Sequence, residues 1–279
     1  MKIQVLLLAA CGAGALAMPA LAQPQPRPSF EVASVKPNKS GDRRAFFNTL
    51  PGGRFRASNI PLYQMILFAY DLKDFQVSGG PAWIRSERFD ITAEAEKDPG
   101  RDGMRAMLQT LLEDRFHFKY RRETKDLPVY ALVVSKSGKL HESEGECGPR
   151  PAVLPPPEPG KPPATPCGGF MVSPGNLSGN HSGMDQLTNV LSRFVGRIVL
   201  DKTGLTGKYD INLQWTPVPG EIQLPPGAPP PGAIPLPPVD PNGPSIYAAL
   251  PEQLGLKLES QKAPVETMVI DHIEEPSEN

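Results

Sequence analysis

The chain has 279 residues, 39% of them hydrophobic, and 29 Lys and Arg against 30 Asp and Glu, for a formal charge of −1. It has no apolar run of about 18 residues, which excludes a multi-span membrane protein, and its balanced charge argues against a generally basic nucleic-acid binder. Proline is the outlier at 35, but nine prolines lie in 148–166 and twelve in 216–244, so a globular chain with two Pro-rich insertions is expected.

Residues 1–22 read as an export signal. Lys2 supplies the positive end, 3–17 the apolar core, and Ala20-Leu21-Ala22 the cleavage box before Gln23. The alternative is a lipoprotein anchored at Cys11 after Leu8-Ala9-Ala10, although about eight apolar residues before that cut make a short core. Either way the chain is expected to be exported, periplasmic or secreted, with no transmembrane segment after cleavage.

Phe30–Val35 alternates as a strand, with Phe30, Val32 and Ser34 as its expected apolar face. Leu62, Met65, Ile66, Ala69 and Tyr70 repeat at helical spacing behind Pro61. A turn-rich approach, Gly79–Ile84, leads to a strand at Arg88–Ala93. Leu108 and Leu112 mark a second helix, followed by a strand at Phe116–Tyr120 and a closing strand at Val129–Val134.

The same order returns downstream. Gly175–Gly179 faces Gly53–Ala57, and Met184, Leu187, Leu191 and Phe194 repeat the helical spacing after Ser182 as its cap. Asp201–Thr206 approaches a strand at Lys208–Trp215, where Tyr209-Asp210-Ile211 faces Phe89-Asp90-Ile91. Ile246 and Leu250 face Leu108 and Leu112. Leu254–Leu258 and Val265–Ile270 then face the two strands that end the first half. The expected class is α+β, in two similar halves, each with two helices packed on mainly antiparallel strands. The expected organisation is 23–140 for the N-terminal strand and first half, 141–171 for a Pro-rich connection, and 172–279 for the second half, interrupted at 216–244.

Cys147 and Cys167 bracket the first Pro-rich stretch. In an oxidising compartment they are expected to form a disulfide that closes it. A metal reading needs further ligands. His141 is nearest in sequence and no zinc spacing is present, so no metal and no cofactor is expected.

Several stretches resemble a family of uncharacterised, soil-associated bacterial proteins described as a domain of unknown function. They are Phe30–Asn38, Gly79–Trp83 with Phe89–Ile91, Leu111–Phe116, Asp201–Asp210 and Val269–His272. The resemblance spans about residues 29–275. It implies an exported, stand-alone protein whose similar domains also occur fused to membrane-bound sensor peptidases of the antibiotic-sensing type. It implies no activity or site. In fold pattern alone the repeats are also similar to the short N-terminal domains of secretins and outer-membrane receptors, which bind protein partners.

No nucleotide-binding glycine loop, nucleophile elbow or H-E-x-x-H helix is present. His117, His141, His181 and His272 read as surface or structural residues, and Asp90 and Asp210 as equivalent loop-fixing carboxylates. Trp83, Arg85, His181 and His272 form the candidate binding surface. The expected function is a non-catalytic binding or interaction module whose partner is an envelope protein or cell-wall ligand and not nucleic acid. The alternative is an envelope hydrolase with an unrecognised site.

Overall fold

Two separate clusters of buried apolar side chains are joined by a pair of long antiparallel strands that contribute to both. The structure is a computed structural model describing residues 27–42, 45–136, 139–148, 167–173, 175–217 and 242–276. Among these the protein is α+β, with five helices and three mostly antiparallel sheets. No described helix is long and apolar enough to cross a membrane. The expected signal, Cys11 and most of both Pro-rich stretches lie outside the described residues.

The first sheet takes β1 (Val32–Pro37), β2 (Phe46–Leu50), β3 (Arg54–Pro61) and, later in the chain, a strand at Arg88–Glu94, in the order β1–Arg88–Glu94–β3–β2. Phe30 packs against the first core as expected, but within β1 the expected face is reversed. Val35 is buried and Val32 is 64% exposed, because the register sets Val35 and Ala33 opposite Ile91 and Ala93, whose side chains point into the core. Pro61 caps α1 (Leu62–Tyr70), which buries Leu62, Met65, Ile66 and Ala69.

The turn expected at Gly79–Ile84 contains two small elements, β4 (Val77–Gly79) and the one-turn helix α2 (Trp83–Ser86). Gly79 is required there. Its φ is 80°, and a Cβ would sit 2.7 Å from the carbonyl oxygen of Ile270. The strand β5 (Arg88–Glu94) then alternates with Phe89, Ile91 and Ala93 inward.

Phe116 ends α3 (Gly100–Phe116) and does not begin a strand. His117 terminates the helix at φ 49°. The two strands expected after it are one, β6 (Lys119–Val134), and its counterpart near the chain end is also one, β12 (Leu256–His272). They pair antiparallel almost throughout. The polar middle of each interrupts the apolar period, so the sequence pattern alone splits each into two. That middle crosses between the two cores and is mostly exposed. Arg121 and Arg122 of β6 pair with Asp271 and Glu266 of β12.

The remaining elements are β7 (His141–Glu142), β8 (Gly169–Ser173), β9 (Asn176–Ser182), α4 (Met184–Phe194), β10 (Val199–Asp201), β11 (Tyr209–Gln214) and α5 (Ile246–Ala249). Gly183, not Ser182, caps α4; the Ser182 hydroxyl donates to the Gly169 carbonyl at 3.0 Å instead. Leu254 ends a wide helical turn after α5, and Gly255 starts the way into β12 at φ 67°. One sheet runs β7–β11–β9–β8. The central sheet runs β10–β6–β12–β4, with β10 parallel to β6 and β4 parallel to β12. β12 therefore gives Met268 and Ile270 to the first core and Leu256 to the second.

Candidate anion-binding site

The chain leaves α1 through Asp71, a left-handed residue at φ 53°, and this turn brings Asp71 and Lys73 to the surface beside α3 and α4. On α3, Arg101, Arg105 and Gln109 follow one another at four-residue spacing and so share one flank. Gln109 donates to the Ala69 carbonyl at 2.8 Å, and Arg105 Nη2 to Asp71 Oδ1 at 2.6 Å. On α4, Asn189 and Arg193 stand four residues apart, and Lys73 Nζ donates to Asn189 Oδ1 at 2.9 Å.

Arg105 thus holds Asp71, and Lys73 and Arg193 lie within electrostatic reach of that carboxylate and of Arg101 and Arg105. Burial pulls the Lys73 ammonium down to about 8, and Arg193, Arg105 and Arg101 add to the fall while Asp71 opposes it. Arg193 is lowered as well, by the protein packed about its side chain and then by Arg101 and Arg105, although the residue reaches the surface. The Arg105 side chain is only 14% exposed. Its guanidinium lies 5.7 Å from the Phe68 ring centroid, and its buried Nε has no hydrogen-bond partner among the described residues.

The residues singled out from the sequence fall elsewhere, in separate settings. Trp83 packs edge-on against Phe89 at 6.4 Å, at the border of the first core. Arg85 lies 3.5 Å over the Tyr63 ring and pairs with Asp74 at 3.0 Å. Burial, with Asp74 close by, pushes the Tyr63 hydroxyl up to about 12. His272 Nε2 and His117 Nδ1 hold the two oxygens of Glu274 at 2.7 and 3.2 Å, which keeps that carboxyl below its usual range.

Cys147 and Cys167 are bonded, with Cα atoms 5.6 Å apart. The histidine beside them is His181, whose ring lies within 4.8 Å of both sulfurs, and not His141. The bonded sulfurs are not thiolates, so this grouping is not a metal centre as it stands. His181 is left-handed at φ 54°, and its N–H donates to Asp210 Oδ1 at 3.1 Å. Ser143 donates to the same oxygen, and these two bonds lower the Asp210 carboxyl.

Two clefts open on the described surface. One, of about 300 Å³, lies between the end of β6 and the start of β12, with Leu140, Leu205 and Leu254 among its apolar walls and Lys136 and Glu142 beside them. The other, of about 180 Å³, is bounded by Phe75, Pro128 and Ile198.

The Asp71 cluster was not foreseen. The Arg101–Arg105 spacing was visible in the sequence, but nothing there placed α4 beside the end of α1. Residues 63–273, about three quarters of the chain, match the family model described as Protein of unknown function (DUF3738). No curated protein and no solved structure matches the chain. By that match the chain belongs to the DUF3738 family of proteins of unknown function.

Proposed function

We propose that the protein is an exported, non-catalytic binding module of the cell envelope, and that its ligand is an anion held at the Asp71 cluster. One observation carries this reading: Lys73, Arg101, Arg105 and Arg193, from a loop and two helices, lie within electrostatic reach of one another where Arg105 bonds Asp71. Like charges so placed repel, and a structural role needs no such excess. An anionic ligand relieves it.

The groups that a hydrolase would need are spent on the fold. Asp90 takes bonds from Asn38, Ser58 and the Asn59 amide, Asp210 from Ser143 and the His181 amide, and Glu274 pairs with both His117 and His272. The described lining of the larger cleft has one carboxylate, Glu142, and no histidine. This supports binding over hydrolysis.

The export reading rests on residues 1–22 and agrees with the Cys147–Cys167 bond. The duplication reading takes 50–135 and about 172–272, without the Pro-rich insertions, as copies of one unit. Its support is the strand orders β1–β5–β3–β2 and β7–β11–β9–β8, and the matched parallel pairs of β4 and β10. Domains similar to this one, by the resemblance, are appended to sensor peptidases, which suits ligand capture.

The test is capture from envelope extract by the mature protein and by the double variant Arg105→Gln, Arg193→Gln, with the melting curve of each recorded. Wild type should retain an acidic component that the folded double variant loses. Equal retention by both would remove the Asp71 cluster from the function.

A further inference from the structure

We propose that the Asp71 cluster is a site for a dianionic phosphate group, which takes Arg105 over from Asp71 when it binds. This rests on the anion-binding reading above and adds the ligand's chemistry. Arg105 bonds Asp71 and Lys73 bonds Asn189, and Arg101 and Arg193 lie within electrostatic reach of Lys73, so positive side chains outnumber the carboxylate among them. A single carboxylate ligand leaves most of that excess in place, whereas a phosphate dianion removes the larger part of it.

The donor types point the same way. A guanidinium presents parallel N–H groups in a plane, and phosphate oxygens accept them in pairs. Arg105 shows such a fork half used. Nη2 bonds Asp71 at 2.6 Å while Nε has no partner among the described residues. Asp71 is itself 43% exposed and stands at the end of α1, so it can turn outward and open the fork. Lys73 and Asn189 hold the facing side and add two more polar tips. Because Arg105 is nearly enclosed, a bond made to it gains strength from the poor local screening.

The same phosphate chemistry is offered by a free phosphate compound and by the headgroup of a phosphorylated lipid. Calorimetry of the mature protein with inorganic phosphate at neutral pH and constant ionic strength tests the proposal. Parallel titrations use acetate and an acidic peptide, and flotation uses phosphatidylcholine vesicles with and without phosphatidic acid. Saturable phosphate binding is expected. Arg105→Gln should weaken it by about tenfold or more, the usual effect of losing a charge-assisted bond. Asp71→Asn removes the internal competitor and should tighten binding severalfold, a gain that misfolding does not produce. Flotation with phosphatidic acid that phosphate competes away assigns the lipid source, and phosphate binding without flotation assigns the free one. If acetate or the peptide binds as tightly as phosphate, the phosphate assignment falls and the anion reading stands. If no anion binds, both fall. If Asp71→Asn binds phosphate no better than wild type, the displacement of Asp71 is wrong.

Discussion

Asp90 accepts the backbone N–H of Asn59 at 2.9 Å and so fastens a residue held in the left-handed region at φ 56°. The pair sits where β3 and β5 slip register, between Ala57 and Ile60. Non-glycine residues seldom adopt that conformation without compensation. Here the compensation is a carboxylate that also takes the Asn38 amide and the Ser58 hydroxyl at 2.9 Å each. Asp210 and His181 stand in the same relation in the other outer sheet.

Asp90→Asn should destabilise the protein by about 1.5–3 kcal/mol at neutral pH, the range for hydrogen bonds to a charged group. Burial works to raise the Asp90 carboxyl, but the bonds from Asn38, the Asn59 amide and Ser58 outweigh it, and its pKa lies below the ordinary 3.8. A folded-state pKa below the unfolded one gives stability that is complete above about pH 4 and lost as pH falls through the folded value. Acid unfolding curves of the variant should therefore be flatter in that window than those of wild type. Curves that superpose would show that Asp90 does not fasten the bulge.

Lys73→Met should stabilise the protein at neutral pH. Its folded pKa, about 8, lies below the ordinary 10.5, so the cation is disfavoured in the folded state. The sign is opposite to that of Asp90. Lys73 costs stability below about pH 8, and the cost fades as pH rises to 10.5. With solvent screening and the lost Asn189 bond allowed for, a gain of about 1 kcal/mol is expected. A lower melting temperature at neutral pH would mean that the cluster is relaxed and the cations are not crowded.

Residues 27–140 alone should not unfold cooperatively. Met268, Ile270 and Ile273 come from the end of the chain yet belong to the first core, and β4 pairs only with β12. Mixing with residues 141–279 should restore a sharp melting transition. A cooperative transition in the first fragment by itself would show that the exchanged strand is dispensable.

Much of this fold was legible because its helices and short strands keep a clean apolar period. Leu62, Met65, Phe116, Met184, Leu187 and Leu254 are all buried, and Phe89 and Tyr209 face inward with Asp90 and Asp210 turned away. The period fails where a strand has no core beneath it. The middles of β6 and β12 are polar because they bridge the two cores, so each looked like a break. β4 and β10 are three residues long, too short to show any period. The Asp71 cluster was hidden for another reason. Its residues come from a loop and two helices whose meeting depends on how the two halves pack together.

Phe116→Ala should destabilise the protein by about 3–5 kcal/mol, the usual cost of an emptied aromatic site. Its ring is fully buried and meets Phe89 edge-on at 5.5 Å. Leu254→Ala should cost about 2–5 kcal/mol by the same reasoning. Denaturant midpoints unmoved by either change would contradict the assignment of these residues to the cores.

The mature protein should begin at Gln23 and carry no lipid, as the Ala20-Leu21-Ala22 box directs. Intact mass and N-terminal sequencing of the protein from its native cells check this. A lipid-modified Cys11 would move the protein to a membrane surface.

Amide chemical-shift mapping of the mature protein during titration with inorganic phosphate, against chloride at matched ionic strength, tests the binding site most directly. Saturable shifts should concentrate at 71–73, 101–105 and 189–193, and the Arg105→Gln, Arg193→Gln variant should lose them while keeping the rest of its spectrum. Shifts centred instead on the Leu205–Leu254 cleft, or none beyond those that chloride gives, would contradict an anion site at Asp71.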